Sequence, residues 1–304
     1  MAGTNFAKGI RSYGIPVIGS GADDYVTTGN VYFVHSGTGN DGNTGKSPSS
    51  PLATLAAAIS KTTANKKDII FVMPGHDETV TSTITVNKAG VSIIGLGNGK
   101  NRPKLTANFS SAGYTITISA ANVKIKNLYF ATPSATQVAY IKINAAESVI
   151  ENCLFEMGAN ARDCIEITAN GDNALIQGNE FRVTANGPDS AVRFSGAADG
   201  TQILYNYFFG GSDTNAFDDA AIDGANSGGT DVVITNTRIE GNRFLYGVGV
   251  DINSAGTTGF IAYNLFGEGT LGSMLDPGTL MCFENYEADA ADETGRKFPT
   301  TAAS

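Results

Sequence analysis

Val, Ile and Phe alternate with polar residues in short runs along most of the chain. "YTITISA" (114–120), "VKIKNLYF" (123–130), "AYIKINA" (139–145), "CIEITA" (164–169), "AVRFSG" (191–196) and "DVVITN" (231–236) all read at period two. That alternation predicts strands with one buried face. Gly, Asn and Asp separate the runs, as tight turns require. Amphipathic segments of helical period do not recur with the runs, so helical repeats are not expected.

One short phrase returns between the runs: "IENCLF" (150–155), "IQGNEF" (176–181), "ILYNYFF" (203–209), "IEGNRF" (239–244) and "IAYNLF" (261–266). The recurring asparagines are Asn127, Asn152, Asn179, Asn206, Asn242, Asn264 and Asn285, with spacings of 25, 27, 27, 36, 22 and 21. An aromatic follows each: Phe130, Phe155, Phe181, Phe208, Phe244, Phe266 and Tyr286. A period in the twenties marks a solenoid, whose units bury their apolar faces on one another. Two or three strands per unit predict an all-β, single-stranded parallel β-helix. Dividing residues 65–286 by the period gives about nine or ten coils. Asn tolerates the left-handed backbone of a sharp corner, and its amide can form a ladder along the stack. The aromatics are expected to point inward and stack. All seven asparagines are therefore read as structural.

The front end differs. In "NDGNTGKSPSSPLATLAAAI" (40–59), Ser50 is placed to cap a short helix with Pro51 at its first position. Leu52, Leu55, Ala56 and Ile59 then share one face. A helix near 51–60 suits the open end of a β-helix, which must be covered. The wide gap between Asn206 and Asn242 holds "GGSDTNAFDDAAIDGANSGGTD" (210–231), expected to be a loop extruded from the barrel.

Composition narrows the function. Charged residues are only 16% and the net charge is −9, so a nucleic-acid surface is not expected. No run approaches the ~20 apolar residues of a membrane-spanning helix, and the N-terminus lacks the apolar core of a secretory signal. The three cysteines, Cys153, Cys164 and Cys282, do not make a disulfide framework. No Cys–His cluster or cofactor motif is present, so no metal or cofactor is expected.

The run "SGTGNDGNTGKSPSSPLATLAAAI…DIIFVMPGHDETV…VSIIGLGNG…PKLTA" resembles the start of pectate-lyase-like right-handed parallel β-helix proteins. The opening "GTNFAKGIRSYGIPV" and the ending "ENYEADAADETGRKFP" are similar to β-helix proteins of tailed-bacteriophage virions. That resemblance implies a non-enzymatic virion protein, commonly a homotrimer, made in the host cytoplasm. A capsid decoration or cement protein bound to the major capsid protein is favoured over a fibre, because no extended shaft or receptor domain is evident. A cell-surface adhesin fits poorly without a signal peptide.

The alternative is a tailspike-like polysaccharide depolymerase. "FDDAAID" is similar to the paired-Asp element of polygalacturonase-type hydrolases, which makes Asp218, Asp219 and Asp223 the candidate carboxylates, or calcium ligands. The Gly-His-Gly and Arg-Ile-Lys elements of that family are missing. Arg193, Arg238 and Arg243 could serve a lyase, but the Trp-containing lyase motif cannot exist in a chain without Trp. His76, in "PGHDE", is either an acid/base group beside carboxylates or a polar turn residue. Tyr205, Tyr207 and Tyr263 are candidate platforms for a surface glycan.

Three regions result. Residues 1–28 form an arm without a strand period, with Phe6 and the cluster Ile15, Pro16, Val17 and Ile18 as candidate capsid anchors. Residues 29–286 form the β-helix. Residues 287–304 form an acidic, then polar tail, exposed or bound to a partner.

Overall fold

The alternating runs fold as strands that stack into three sheets. The computed structural model describes residues 27–134, 137–185, 188–210, 216–225, 229–267 and 274–287, and the backbone of strands Ile10–Ser12, Ile15–Ile18 and Arg296–Phe298. The first sheet runs over ten parallel strands from Val31–Val34 to Met281–Phe283. The second runs from Asp77–Val80 to Asn285–Glu287. The third has eight strands, from Ile84–Val86 to Leu275–Asp276. This is the expected parallel β-helix. The eight strands of the third sheet count its complete three-stranded coils, short of nine or ten. The difference lies at the ends, where Val31–Val34 and Met281–Phe283 belong to partial coils.

Register turns the sequence repeat into columns. Ile70, Ile93, Ile125, Ile150, Ile176, Ile203, Ile239 and Ile261 lie opposite one another along the first sheet, all fully buried. In the second sheet Phe130, Phe155, Phe181, Phe208, Phe244 and Phe266 stack with centroids 4.8–4.9 Å apart and ring planes within 9°. The strand spacing sets that distance, and a buried aromatic pair adds about 0.5–1.5 kcal/mol beyond its area. Tyr286 does not join the stack; it is 44% exposed. Glu287 stands opposite Phe266 instead, because Tyr286 follows Asn285 directly whereas each of these Phe side chains sits two or three residues after its Asn. At the other end the column continues through Leu105 to Glu78.

The capping helix is Leu55–Lys61, and its N-cap is Thr54 rather than Ser50. Thr54 Oγ1 accepts from Ala57 N at 3.2 Å, and Asp41 accepts from Ala53 N, Thr54 N and Thr54 Oγ1. Ser50 and Pro51 lie in the turn before it. The later start rotates the buried face to Leu55, Ala58 and Ile59 and leaves Ala56 exposed.

Other expectations are corrected. "DVVITN" is not a strand; the strand of that coil is Thr237–Glu240. The stretch 210–231 is not wholly extruded, because Ile222–Asp223 returns to the third sheet beside Arg193. The arm contains an antiparallel pair, Ile10–Ser12 with Ile15–Ile18. Phe6 lies outside the described residues, as do the side chains of Ile15–Ile18. In the tail, Arg296–Phe298 pairs antiparallel with Asn285–Glu287 and covers the edge of the second sheet. No helix of the described residues is long and apolar enough to cross a membrane.

Candidate functional site

The recurrent asparagines occupy two different columns. Asn127 and Asn152 have φ of 57° and 51°, and the residues in their place on later coils are Gly178, Tyr205, Gly241, Tyr263 and Glu284, all with positive φ. This is the left-handed corner. Asn179, Asn206, Asn242, Asn264 and Asn285 sit one position later, are buried, and follow Leu128 and Cys153 in their column. Each amide oxygen of Asn206, Asn242, Asn264 and Asn285 accepts from the backbone N and the Nδ2 of the Asn one coil earlier, at 2.8–3.1 Å. Each Nδ2 also donates to a first-sheet carbonyl, from Ile150 for Asn179 to Ile261 for Asn285. The ladder begins where Asn179 Oδ1 accepts from Cys153 N at 2.8 Å. These amides are fully engaged and face away from solvent, so they have no chemistry to offer.

The candidate carboxylates meet at Arg193. A cleft of about 700 Å³ is lined by Arg162, Asp189, Arg193, Asp218, Asp219, Asp223, Asp231 and Asp251. Arg193 projects from the third sheet and is only 3% exposed. Its Nη2 lies 2.6 Å from Asp219 and 3.7 Å from Asp189. Its Nη1 lies 3.0 Å from Asp223, and its Nε 3.0 Å from Asp163. Asp223 also accepts from Ala225 N at 2.8 Å. Asp218 is exposed at the rim and is tied by its backbone N to Pro188 O. The structure thus brings the three predicted Asp residues to one cleft.

Sequence reasoning missed that Arg193 is the centre and that Asp163 and Asp189 complete the ring. Lys142, Glu166, Arg193, Asp223, Asp251 and Asp276 form one column on the third sheet. Aligning coils on the third strand, rather than on the Asn corner, would have placed Arg193 beside Asp223. Burial pushes the Asp163 carboxyl up to about 7, against the pull of Arg193. Burial also raises Asp223, opposed by Ala225 N–H and Arg193, and raises Asp251, helped by Asp276.

An inverting hydrolase holds its acid and base about 6.5–9.5 Å apart with sugar and water between them. Here Asp219 and Asp223 both grip one guanidinium. Arg193 lies between these two carboxylates, and the cluster pins residues 216–225 to the sheet. Among the described residues no group of three or more His, Cys, Asp or Glu could hold a metal ion.

His76 is buried directly after the turn at Pro74 and Gly75. Its Nδ1 accepts from Ser36 N at 3.0 Å, which leaves Nε2 to donate to Glu78 at 3.0 Å. Glu78, not Asp77, is its carboxylate, and it also accepts from Leu55 N at the helix start. Asp77 pairs with Lys104 at the surface. Burial pushes the thiols of Cys153 and Cys282 up to about 12 and about 11, so neither is a nucleophile near neutral pH. Arg238 pairs with Glu240, and Arg243 lies over Tyr207. Tyr205 and Tyr263 are each 56% exposed, both on the left-handed corner, and Tyr263 meets Phe283 edge-on.

No family model matches the chain, and no curated protein matches it. Several solved structures are similar. A rhamnogalacturonan lyase is 13% identical, with a TM-score of 0.45 over 84% of this chain and 87% of its own. A GH136 lacto-N-biosidase from Eubacterium ramulus is 12% identical, with a TM-score of 0.33 over 85% and 67%. ORF18 of Geobacillus virus E2 is 12% identical, with a TM-score of 0.35 over 77% of this chain and 57% of that one. At these identities the likeness says nothing of activity or partner.

Proposed function

We propose that the chain is a non-enzymatic structural protein of a tailed-bacteriophage virion: a decoration protein that binds the major capsid protein and stabilises the head shell. The single observation that carries the non-enzymatic part is the Arg193 ring, in which Asp219 and Asp223 are consumed by an ion pair. The virion part is supported by the resemblance of the two ends of the chain to phage β-helix proteins. The arm, residues 1–28, is the proposed anchor. Quantitative mass spectrometry of purified particles tests this. Copy number comparable to the capsid protein is expected; a handful of copies moves the protein to the tail, and absence from particles ends the virion reading.

One observation favours a second reading, a polysaccharide depolymerase. The cleft is open, Asp218 stands at its rim, and burial raises Asp223, as a general acid requires. The triple variant Asp218→Asn, Asp219→Asn, Asp223→Asn decides it. No release of reducing ends or unsaturated sugars is expected from either protein; wild-type release that the variant loses would establish the enzyme.

A further inference from the structure

Charge is segregated along the solenoid axis. Residues 27–126 carry ten Lys and Arg against four Asp and Glu, whereas residues 189–287 carry three against thirteen. One ridge, the corner between the third and first sheets, carries it in a single row. Its left-handed positions are Asn65, Gly90, Asn122, Glu147, Asn173, Gly200 and Asn236. Hydrogen bonds tie each to the next coil: Asn65 N to Ala89 O, Gly90 N to Ala121 O, Asn122 N to Ala146 O, Glu147 N to Asp172 O and Asn173 N to Asp199 O, at 2.7–3.2 Å. The ridge is therefore a straight row, one coil per step.

Within two residues of these positions stand Lys66, Lys67, Lys88 and Lys124 on the first three coils and Glu147, Asp172 and Asp199 on the next three; on the last, Arg238 is paired with Glu240. Lys66, Lys67, Glu147 and Asp199 are exposed, and Lys88 and Asp172 are half-buried. From Gly90 to Gly200 is four coil steps, roughly 19 Å. The Debye length at physiological salt is ~8 Å. The two ends therefore do little to neutralise each other within one molecule, and a rigid row of corners cannot fold back to bring them together.

We propose that two copies of this chain pair antiparallel along this ridge, the lysine end of each against the acidic end of the other. The occupant follows from complementarity within the sequence itself: a two-fold axis near Asn122 and Glu147 sets Lys66, Lys67 and Lys88 against Asp172 and Asp199 twice over. A two-fold contact is self-complementary and closes. Parallel packing about a three-fold axis would instead lay basic end on basic end and acidic on acidic, which costs free energy. This inference does not rest on the virion reading.

Light scattering coupled to size exclusion tests it on the full chain, 31.5 kDa per copy. In low salt at neutral pH a dimer is expected, with the dissociation constant rising about tenfold or more when salt is increased to several hundred millimolar. Lys66→Glu, Lys67→Glu, Lys88→Glu together should give a monomer with an unchanged circular dichroism spectrum. Asp172→Lys with Asp199→Lys should also weaken the dimer. Mixing the two reversed proteins should restore a heterodimer, because each then supplies the charge that the other lacks. A monomer in low salt, a trimer, an open-ended series of larger species, or a dimer indifferent to salt and to the lysine reversals would each overturn the pairing.

Discussion

At the scale of single residues, two neighbouring positions divide the work of a corner. The first must adopt positive φ; the second must satisfy the backbone inside it. Replacing Asn206 with Ala removes the acceptor for Asn179 N and Nδ2 and the donor to Ile176 O and Asn242 Oδ1. Several buried polar groups lose their partner, each at about 1–3 kcal/mol. The unfolding free energy from urea titration should fall by about 3–5 kcal/mol. Asn152 tests the other column. Asn152→Ala keeps the core intact and incurs about 1–2 kcal/mol of left-handed strain, while Asn152→Gly should be near neutral. The sequence shows an Asn at both positions and so invites a single explanation. The distinction appears only in the interval from Asn to the inward Phe: three residues for Asn127 and Asn152, two for Asn179 through Asn264.

At the scale of elements, the Phe stack and the Ile column form the interior, and both were legible because register repeats the same residue type in every coil. Phe181 has a stacked ring on either side. Phe181→Ala should cost about 3–5 kcal/mol, read as a lower urea midpoint, and Phe181→Leu less. The helix was legible as an element but not in its first residue. Ser50-Pro51 satisfies the local rule for a helix start, yet Asp41 reaches from a preceding turn to hold Thr54 in place. A contact across that distance leaves no mark in the local pattern. The stretch 210–231 misled for a related reason. Its return strand is only two residues long, Ile222–Asp223, too short to show an alternation.

At the scale of the whole molecule, the acidic ring should make stability depend on pH in an unusual direction. The Asp163 carboxyl titrates near 7 in the folded chain and near 4 when unfolded. The folded state therefore binds the proton more tightly, so this contribution is complete below about pH 4 and is lost as the pH rises through about 7. Asp223 and Asp251 are raised as well and act with the same sign. The urea midpoint is expected to fall between pH 5 and pH 8, and Asp163→Asn should flatten that slope. A midpoint that rises over this range would contradict the burial argument. None of this was visible from "ARDCIEI" or "AVRFSG" alone, since the proximity of Asp163 to Arg193 depends on coil register.

The Phe column starts and stops at a carboxylate, with Glu78 beyond Leu105 and Glu287 beyond Phe266. A stack of identical rings is a template that another molecule's stack could lengthen, as happens in fibrils. Buried carboxylates at the two terminal rungs work as stop codons written in side chains: at Glu78 a visiting ring would have to pull the carboxylate from His76 Nε2 and Leu55 N before it could settle. The antiparallel Arg296–Phe298 strand seals the same edge of the second sheet. Glu287→Phe should remove one of these terminators, and slow growth of long particles, followed by light scattering and electron microscopy, is the expected sign. The length of this rod is thus set from within, at its last rungs.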